Sequence, residues 1–300
     1  MLYALIMAML APGFASIENF SNVLVAMLPL MIVATGQTAV LITAGIDLSV
    51  TSVIALTSVA GASLVSGDTS PLSGSALATP IAILAMLATG ALVGMINGSC
   101  VAWLRMPAFV VTLTMMMFAS GFAVWTTQSQ SYSELPASLL FLGKNGWASG
   151  TVALLVAFSV HFMLHRTRLG TSLFAIGHNP ETALVSGVRV QWAIVIAYVI
   201  CGCCAAVASV LILGQLETGS PVQWENNLLD VVGATVIGGT SLYGGRGSVL
   251  WTFFGVLLLT LIDNSLNLMN LSHFSIMMIK GCVILLAAFL DTLRHREEDR

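Results

Sequence analysis

Ten apolar runs separated by short polar breaks constrain this chain more than any single motif. They are Met1 to Ala11, Asn22 to Ala44, Ser49 to Val65, Thr79 to Trp103, Phe109 to Thr127, Ala148 to Leu164, Gln191 to Leu213, Leu228 to Ile237, Val249 to Ile262 and Phe274 to Leu290. A bilayer span needs about 20 apolar residues, and only backbone that satisfies its own hydrogen bonds can cross lipid. Charged residues make up 8% of the chain, against about 25% in a soluble domain, and the mean hydropathy is +0.97. The expected fold is an all-α polytopic membrane protein, one domain over residues 1–300, with about ten transmembrane spans including short or broken helices. The first and eighth runs are too short to cross unaided: at about 1.5 Å per residue they reach barely half of a ~30 Å core. They read as a truncated span and a half-helix. No basic region precedes the first run, so it reads as a retained span and not as a cleaved leader.

Positive charge near span ends stays on the cytoplasmic side. With the carboxyl terminus inside, ten alternating spans put Arg105, Arg166, Arg168, Arg189, Arg246, Arg294, Arg296 and Arg300 inside and leave Lys144 outside. The outer breaks then carry Glu18, Asp68, Glu134, Glu217 and Glu225. The count is self-consistent, and it predicts a multi-pass protein with a cytoplasmic carboxyl terminus.

The longest inner break is a polar island from Arg166 to Val190. Within it Asn179 can cap a helix, Pro180 suits the first helical position, Glu181 sits at the positive end of the dipole, and Gly187 can end the helix in a left-handed conformation. A two-turn helix is therefore expected here. It is too short to persist alone, which points to a docking element for a partner outside the bilayer.

Enzyme chemistry finds little support. Gly239 to Gly245 has the glycine spacing of a phosphate-binding loop, but Gly245 stands where that loop needs Lys, so the chain holds no nucleotide cofactor of its own. His161 and His165 read as a helix C-terminal pair and not as metal ligands, and Cys201, Cys203 and Cys204 as small residues for close helix packing. No metal site is expected. A net charge of −3 and the lack of a basic patch argue against nucleic acid.

What remains are polar, glycine-bearing breaks. Asp47 interrupts a long apolar run, where an unpaired carboxylate is costly; either Asp47 or Ser49 caps the helix that starts at Val50, or the break lines a hydrated path. Asn97-Gly98, Pro107 and the stretch Gly238, Gly239, Thr240, Ser241 to Gly247 pose the same choice. Lys280 and Asp263 lie at similar depth in neighbouring spans, so the two are expected to form an intramembrane ion pair.

Taken together, Gly45-Ile-Asp-Leu-Ser-Val50, Asn97-Gly98, Pro107-Ala-Phe-Val-Val-Thr-Leu113, Thr167-Arg-Leu-Gly170, Ala175-Ile-Gly-His-Asn-Pro180, Ser186-Gly187 and Val236 to Gly247 resemble the permease subunits of bacterial monosaccharide ABC importers, the ribose permease family. The resemblance runs from about Phe20 to the last span. It implies a bacterial inner-membrane permease that works with a second permease chain, as a homodimer or heterodimer, with a cytoplasmic ATP-binding subunit that holds ATP and Mg, and with a periplasmic sugar-binding protein. It also implies that the island carries the coupling helix. Gly170, Gly177, Asn179, Pro180, Glu181, Ala183, Leu184, Ser186 and Gly187 are then the ATPase-coupling residues, with Ala183, Leu184 and Ser186 facing the ATPase. Gly45, Asp47, Ser49, Asn97, Gly238, Gly239, Thr240 and Ser241 are the candidates for path or gate. The chain departs from the family pattern at Thr51, where Gly is usual, at Thr182 to Val185, where an Arg is missing, and at Leu228, where Glu is usual. The rival readings are a stand-alone carrier driven by an ion gradient, with Asp47, Asp263 or Lys280 as coupling charges, and an intramembrane enzyme.

Overall fold

A computed structural model describes residues 2–68 and 70–298, with the side chains of Leu2 and of residues 294–298 excepted. Thirteen α-helices follow one another: α1 (Leu2–Leu10), α2 (Ile17–Ile42), α3 (Val50–Val65), α4 (Ala78–Ala102), α5 (Ala108–Thr127), α6 (Ala137–Lys144), α7 (Gly146–Arg166), α8 (Arg168–His178), α9 (Pro180–Val185), α10 (Val190–Leu216), α11 (Leu228–Ile237), α12 (Val249–Leu268) and α13 (His273–Glu298). Among the described residues there is no strand, only an isolated bridge between Tyr132 and Gly219. Each of the ten apolar runs is a helix: α1 to α5, α7, and α10 to α13. Seven of them, α2, α4, α5, α7, α10, α12 and α13, are long and apolar enough to cross a membrane. The 16 residues of α3 fall just short, and α11, with 10, is a half-helix. Three helices lie in the breaks, and of these α6 and α8 have no counterpart in the sequence reading. Met1 and Arg300, used above in the span and charge counts, lie outside the described residues, as do the side chains of Arg294 and Arg296.

The breaks sort to two ends, as alternation requires. At the island end, Gly245 N–H donates to the Ile42 carbonyl (2.9 Å), and the Tyr198 and Thr112 hydroxyls both donate to the Ile46 carbonyl (3.3 Å each). At the opposite end, Gly67 N–H donates to Glu134 (3.1 Å), Tyr132 and Gly219 exchange backbone bonds (2.8 and 2.9 Å), and Lys144 pairs with Glu217 at 2.8 Å. Local chemistry sets the helix ends. The Ser16 hydroxyl accepts from Asn19 N–H at the start of α2, and the Asn145 side chain accepts from Trp147 and Ala148 at the start of α7. Pro29 lies inside α2 and is buried, a position that neighbouring helices make tolerable in a spanning helix.

The centre of the bundle is α2 and α10, most of whose residues are buried, whereas α13 is almost wholly surface. That surface is apolar. Trp125, Phe118, Leu154, Phe158, Leu285 and Phe289 all point outward, which suits lipid and not water. Between helices lipid offers no hydrophobic drive, so close approach of small residues must hold them together. The four-residue spacing of Gly90, Gly94 and Gly98 forms such a stripe on α4. A Cβ at Gly90 would strike the Gly202 carbonyl, one at Gly94 the Tyr198 carbonyl, and one at Gly98 would come within 2.7 Å of Val195 Cα, all on α10. On the other face of α10, Cys201 and Cys204 pack against Gly36 of α2, where a Cβ would meet the Cys204 Cβ at 2.8 Å. Cys201 and Cys204 act there as small residues at a close helix approach. Thr38 and Thr252 share a hydrogen bond (2.8 Å) between α2 and α12.

Gly94→Val is expected to lower the thermal midpoint of the purified protein in detergent, since overpacking a tight site costs about 1–3 kcal/mol. Gly121→Ala and Gly150→Ala, where a Cβ meets nothing within 4 Å, are expected to leave the midpoint unchanged or raise it, since Ala is the better helix former. The comparison is read by thermal unfolding of the three variants side by side.

Candidate functional site

The break after α2 turns through Ala44, whose φ is +59°, and leads to a buried polar knot. Asp47 is 2% exposed, and its Oδ1 accepts from both Ser49 N–H (2.9 Å) and the Ser49 hydroxyl (2.6 Å). The Asn97 amide of α4 donates to the same Ser49 hydroxyl (2.9 Å). With its amide nitrogen turned to the Asp47 carbonyl, the Gln37 side chain of α2 exchanges two bonds of 3.2 Å with the Asp47 backbone. Of the two capping options, Asp47 holds the turn. Ser49 makes no side-chain cap bond of its own to α3; its hydroxyl donates to the carboxylate and accepts from Asn97. Gly45 leaves room for the Tyr198 hydroxyl, which a Cβ would meet at 2.9 Å.

The second break joins α11 to α12. Gly238 closes α11 and packs on α12, where a Cβ would meet the Trp251 carbonyl at 2.6 Å. Gly239 turns with a φ of +78°, and Thr240 follows fully buried. Ser241 is buried as well, and its N–H donates to the Arg246 carbonyl (3.1 Å). The Asp291 carboxylate on α13 accepts from the Leu242 N–H at 3.3 Å. Asp291 was not among the residues singled out from sequence; its one signal there is a carboxylate at the island end of the last span. The buried Asn97 Oδ1 and Thr240 Oγ1 have no hydrogen-bond partner among the described residues.

The island contains two helices where one was expected. Thr167 starts α8 by accepting from Gly170 N–H (3.3 Å), and Asn179 starts α9 by accepting from Glu181 and Thr182 (2.9 and 3.0 Å). Pro180 is the first residue of α9, and Gly187 follows it with a φ of +86°. One island position needs correction. Ala183 does not face outward: it is 3% exposed and packs into the protein's own core. With only six residues, α9 must bury one face on its own chain, and Ala183 lies on that face. Gly170 and Gly177 likewise have their space filled from within. A Cβ at Gly170 would strike the Leu164 carbonyl, and one at Gly177 both the Ile42 carbonyl and the Gly245 nitrogen. The exposed face carries Glu181, Leu184, Val185 and Ser186, with Val185 at 90% exposure. Gly177 therefore lies against both breaks and His178 against Gly245, immediately before the Asn179 cap of α9.

At the opposite end, Lys280 of α13 lies 3.2 Å from Asp263 of α12, the partner expected from depth, and 2.7 Å from Asp230 of α11, which was not expected. Lys280 and Asp230 are largely buried, while Asp263 is half exposed. The signal for Asp230 was its place in the first turn of the half-helix.

Residues 19–288 match the family described as branched-chain amino acid transport system / permease component. The chain is 35% identical to the ribose import permease protein of Escherichia coli, over 97% of this chain and 90% of that relative. It is 33% identical to the galactose/methyl galactoside import permease protein of Haemophilus influenzae, over 96% of this chain and 90% of that one. With the fructose import permease protein of Rhizobium meliloti the identity is 34%, over 87% of this chain and 74% of the relative. No solved structure matches the chain.

Asp47→Ala strands the Ser49 N–H and hydroxyl in a buried site, so a loss of about 1–3 kcal/mol is expected. Because Ser49 and Asp47 share one network, Asp47→Ala and Ser49→Ala together should cost clearly less than the sum of the two. A double-mutant cycle on unfolding in detergent reads the coupling; simple additivity would mean that the two residues act independently.

Proposed function

The chain belongs to this family of transport-system permease components, and from that premise we propose that it is the membrane subunit of an ATP-driven importer of a monosaccharide or related polyol-like solute. Similarity to three sugar import permeases across most of the chain supports the solute class. The observation that carries the mechanism is that α9, with Leu184 and Val185 exposed, is capped by Asn179 only two residues after Gly177, which lies against both breaks. In this reading the protein is multi-pass in a bacterial inner membrane, with the island and the carboxyl terminus cytoplasmic.

The chain has no phosphate-binding lysine in its Gly239 to Gly245 turn, so the free energy of ATP enters through a contact. ATP and Mg are held by a cytoplasmic partner, and Leu184 and Val185, exposed at 55% and 90%, are the side chains it grips. Asn179 and Gly187 define the two ends of that handle. A push on α9 passes through His178 and Gly177 to Gly245 and Ile42, and so to the breaks carrying Asp47 and Thr240. Glycine at 177 matters because only a residue without a Cβ lets α8 touch both backbones. A second permease chain completes the path, and a periplasmic sugar-binding protein delivers the solute at the opposite end. Alternating access about the breaks then moves it across. The rival carrier reading needs a titrating or ion-binding charge, yet Asp47 is bonded to Ser49, and Asp230, Asp263 and Lys280 are bonded to one another.

Reconstitution in proteoliposomes separates the two. An importer takes up sugar only with its ATPase, its binding protein and ATP; uptake by this chain alone on an ion gradient would overturn the reading. Leu184→Asp with Val185→Asp is expected to cut ATP-driven uptake at least tenfold while leaving the amount of protein in the membrane unchanged. Exposed substitutions of this kind usually change stability by no more than about 0.5 kcal/mol.

A further inference from the structure

The Asp230–Lys280–Asp263 cluster does not stand in a packed core. It lines a cavity of about 250 Å³ at the end opposite the island, bounded by α2, α11, α12, α13 and the turn before α11. Trp224, Asn226, Asn227 and Asn267 complete its polar wall. Trp224 is held over the cavity by a left-handed backbone, φ +67°, and is partly packed on the core. The Asn267 amide bonds the Asp263 carbonyl at 2.7 Å, which ties that wall to the ion cluster.

The electrostatics decide what such a cavity takes. Lys280 already occupies the seat between the two carboxylates, so a cation finds no vacant position there. Two carboxylates and one ammonium leave a net charge of −1, which repels a phosphate or carboxylate ligand. A neutral ligand escapes both objections. Carboxylate oxygens accept from hydroxyl groups, the ammonium and side-chain amides donate to them, and an indole face covers C–H groups. Among the described residues Asp230 is engaged through Oδ2 alone, so its second oxygen is available to accept. The volume lies below the ~300–1,000 Å³ of drug-sized sites, so the ligand is small.

We propose that this cavity is a second solute site, belonging to the permease itself, for a neutral polyhydroxylated molecule of monosaccharide size, with Asp230, Asp263 and Lys280 as its hydrogen-bonding floor and Trp224 as its stacking wall. It deepens the importer reading on which it rests, because solute selection is then shared between the binding protein and this chain. The ion cluster joins α11, α12 and α13, so an occupied cavity bears on three helices, one of which leads to the Gly238 break.

The test needs no turnover. Asn226→Cys, exposed at the rim, is placed in a Cys282→Ala background in the permease–ATPase complex without the sugar-binding protein and labelled from outside with a membrane-impermeant maleimide. The probes are D-ribose, D-galactose and D-fructose, each at saturating concentration. At least one is expected to slow labelling fivefold or more, and Asp263→Asn, at the half-exposed partner, to reduce that protection to less than twofold. Sodium phosphate in place of sugar is expected to give no protection, and protection by phosphate equal to that by sugar would overturn a site for neutral ligands. Labelling that none of the three sugars slows, or protection that survives both Asp263→Asn and Trp224→Ala, overturns the site. Failure of all three sugars in ATP-driven uptake would instead overturn the importer reading, and the labelling result stands apart from it.

Discussion

A helix that breaks inside a bilayer leaves N–H and C=O groups with no water to bind, and the island end of this protein is organised around pairing them. The Ile42 carbonyl takes Gly245 N–H, the Ile46 carbonyl takes two hydroxyls from α5 and α10, and the Asp47 backbone is matched by the Gln37 amide. Asp47 serves the same need. Its carboxylate organises the turn into α3 from within the protein, and Ser49 passes the network to Asn97 on α4. Five helices thus depend on one satisfied break. Among the described residues at this end, Asn97 Oδ1 on α4 and Thr240 Oγ1 in the second break are left unmatched.

The same constraint explains why glycine recurs wherever segments cross. Removing a Cβ lets a carbonyl of one helix lie against the backbone of another, which in lipid supplies the attraction that water cannot. The α4 stripe uses this to seat α10, and Gly177 uses it to seat α8 on both breaks. Both contacts exist because a Cβ is missing, and the second holds the end of α8 against Ile42 and Gly245. The opposite end works by charge. One ammonium shared by two carboxylates joins three helices that otherwise meet mainly through apolar surface, and because Asp263 is half exposed the cluster is open to a ligand.

Much of this was legible from the chain alone where the signal is local. The ten apolar runs became ten helices because a span must satisfy its backbone within itself, whatever its neighbours are. The cap at Asn179, Pro180 at the first position and the left-handed Gly187 were legible because helix ends are made by residues within four positions of one another. The family resemblance rested on short motifs in order, and the relatives extend it across most of the chain. Lys280 and Asp263 could be paired from depth alone, since an ammonium in lipid must find a carboxylate or the interface.

Other features depend on partners far away in the chain. Whether Ala183 faces a partner or its own bundle is set by how α9 lies on the core, and a six-residue helix carries too little periodicity to tell. Asp230 could be read as a helix-end acid; that it takes the shorter bond to Lys280 follows from the placement of α11 between α12 and α13. Gly170 and Gly177 could be named from their motifs, but only the carbonyls of Leu164 and Ile42 show what fills their space. Sequence by itself determined where the apolar helices lie, the ends of α9 and the family, because those follow from hydrogen bonds, apolar periods and motifs within a few residues. The tertiary structure decided which polar groups meet, because a buried charge or a missing Cβ acquires its meaning from the atom on the other side.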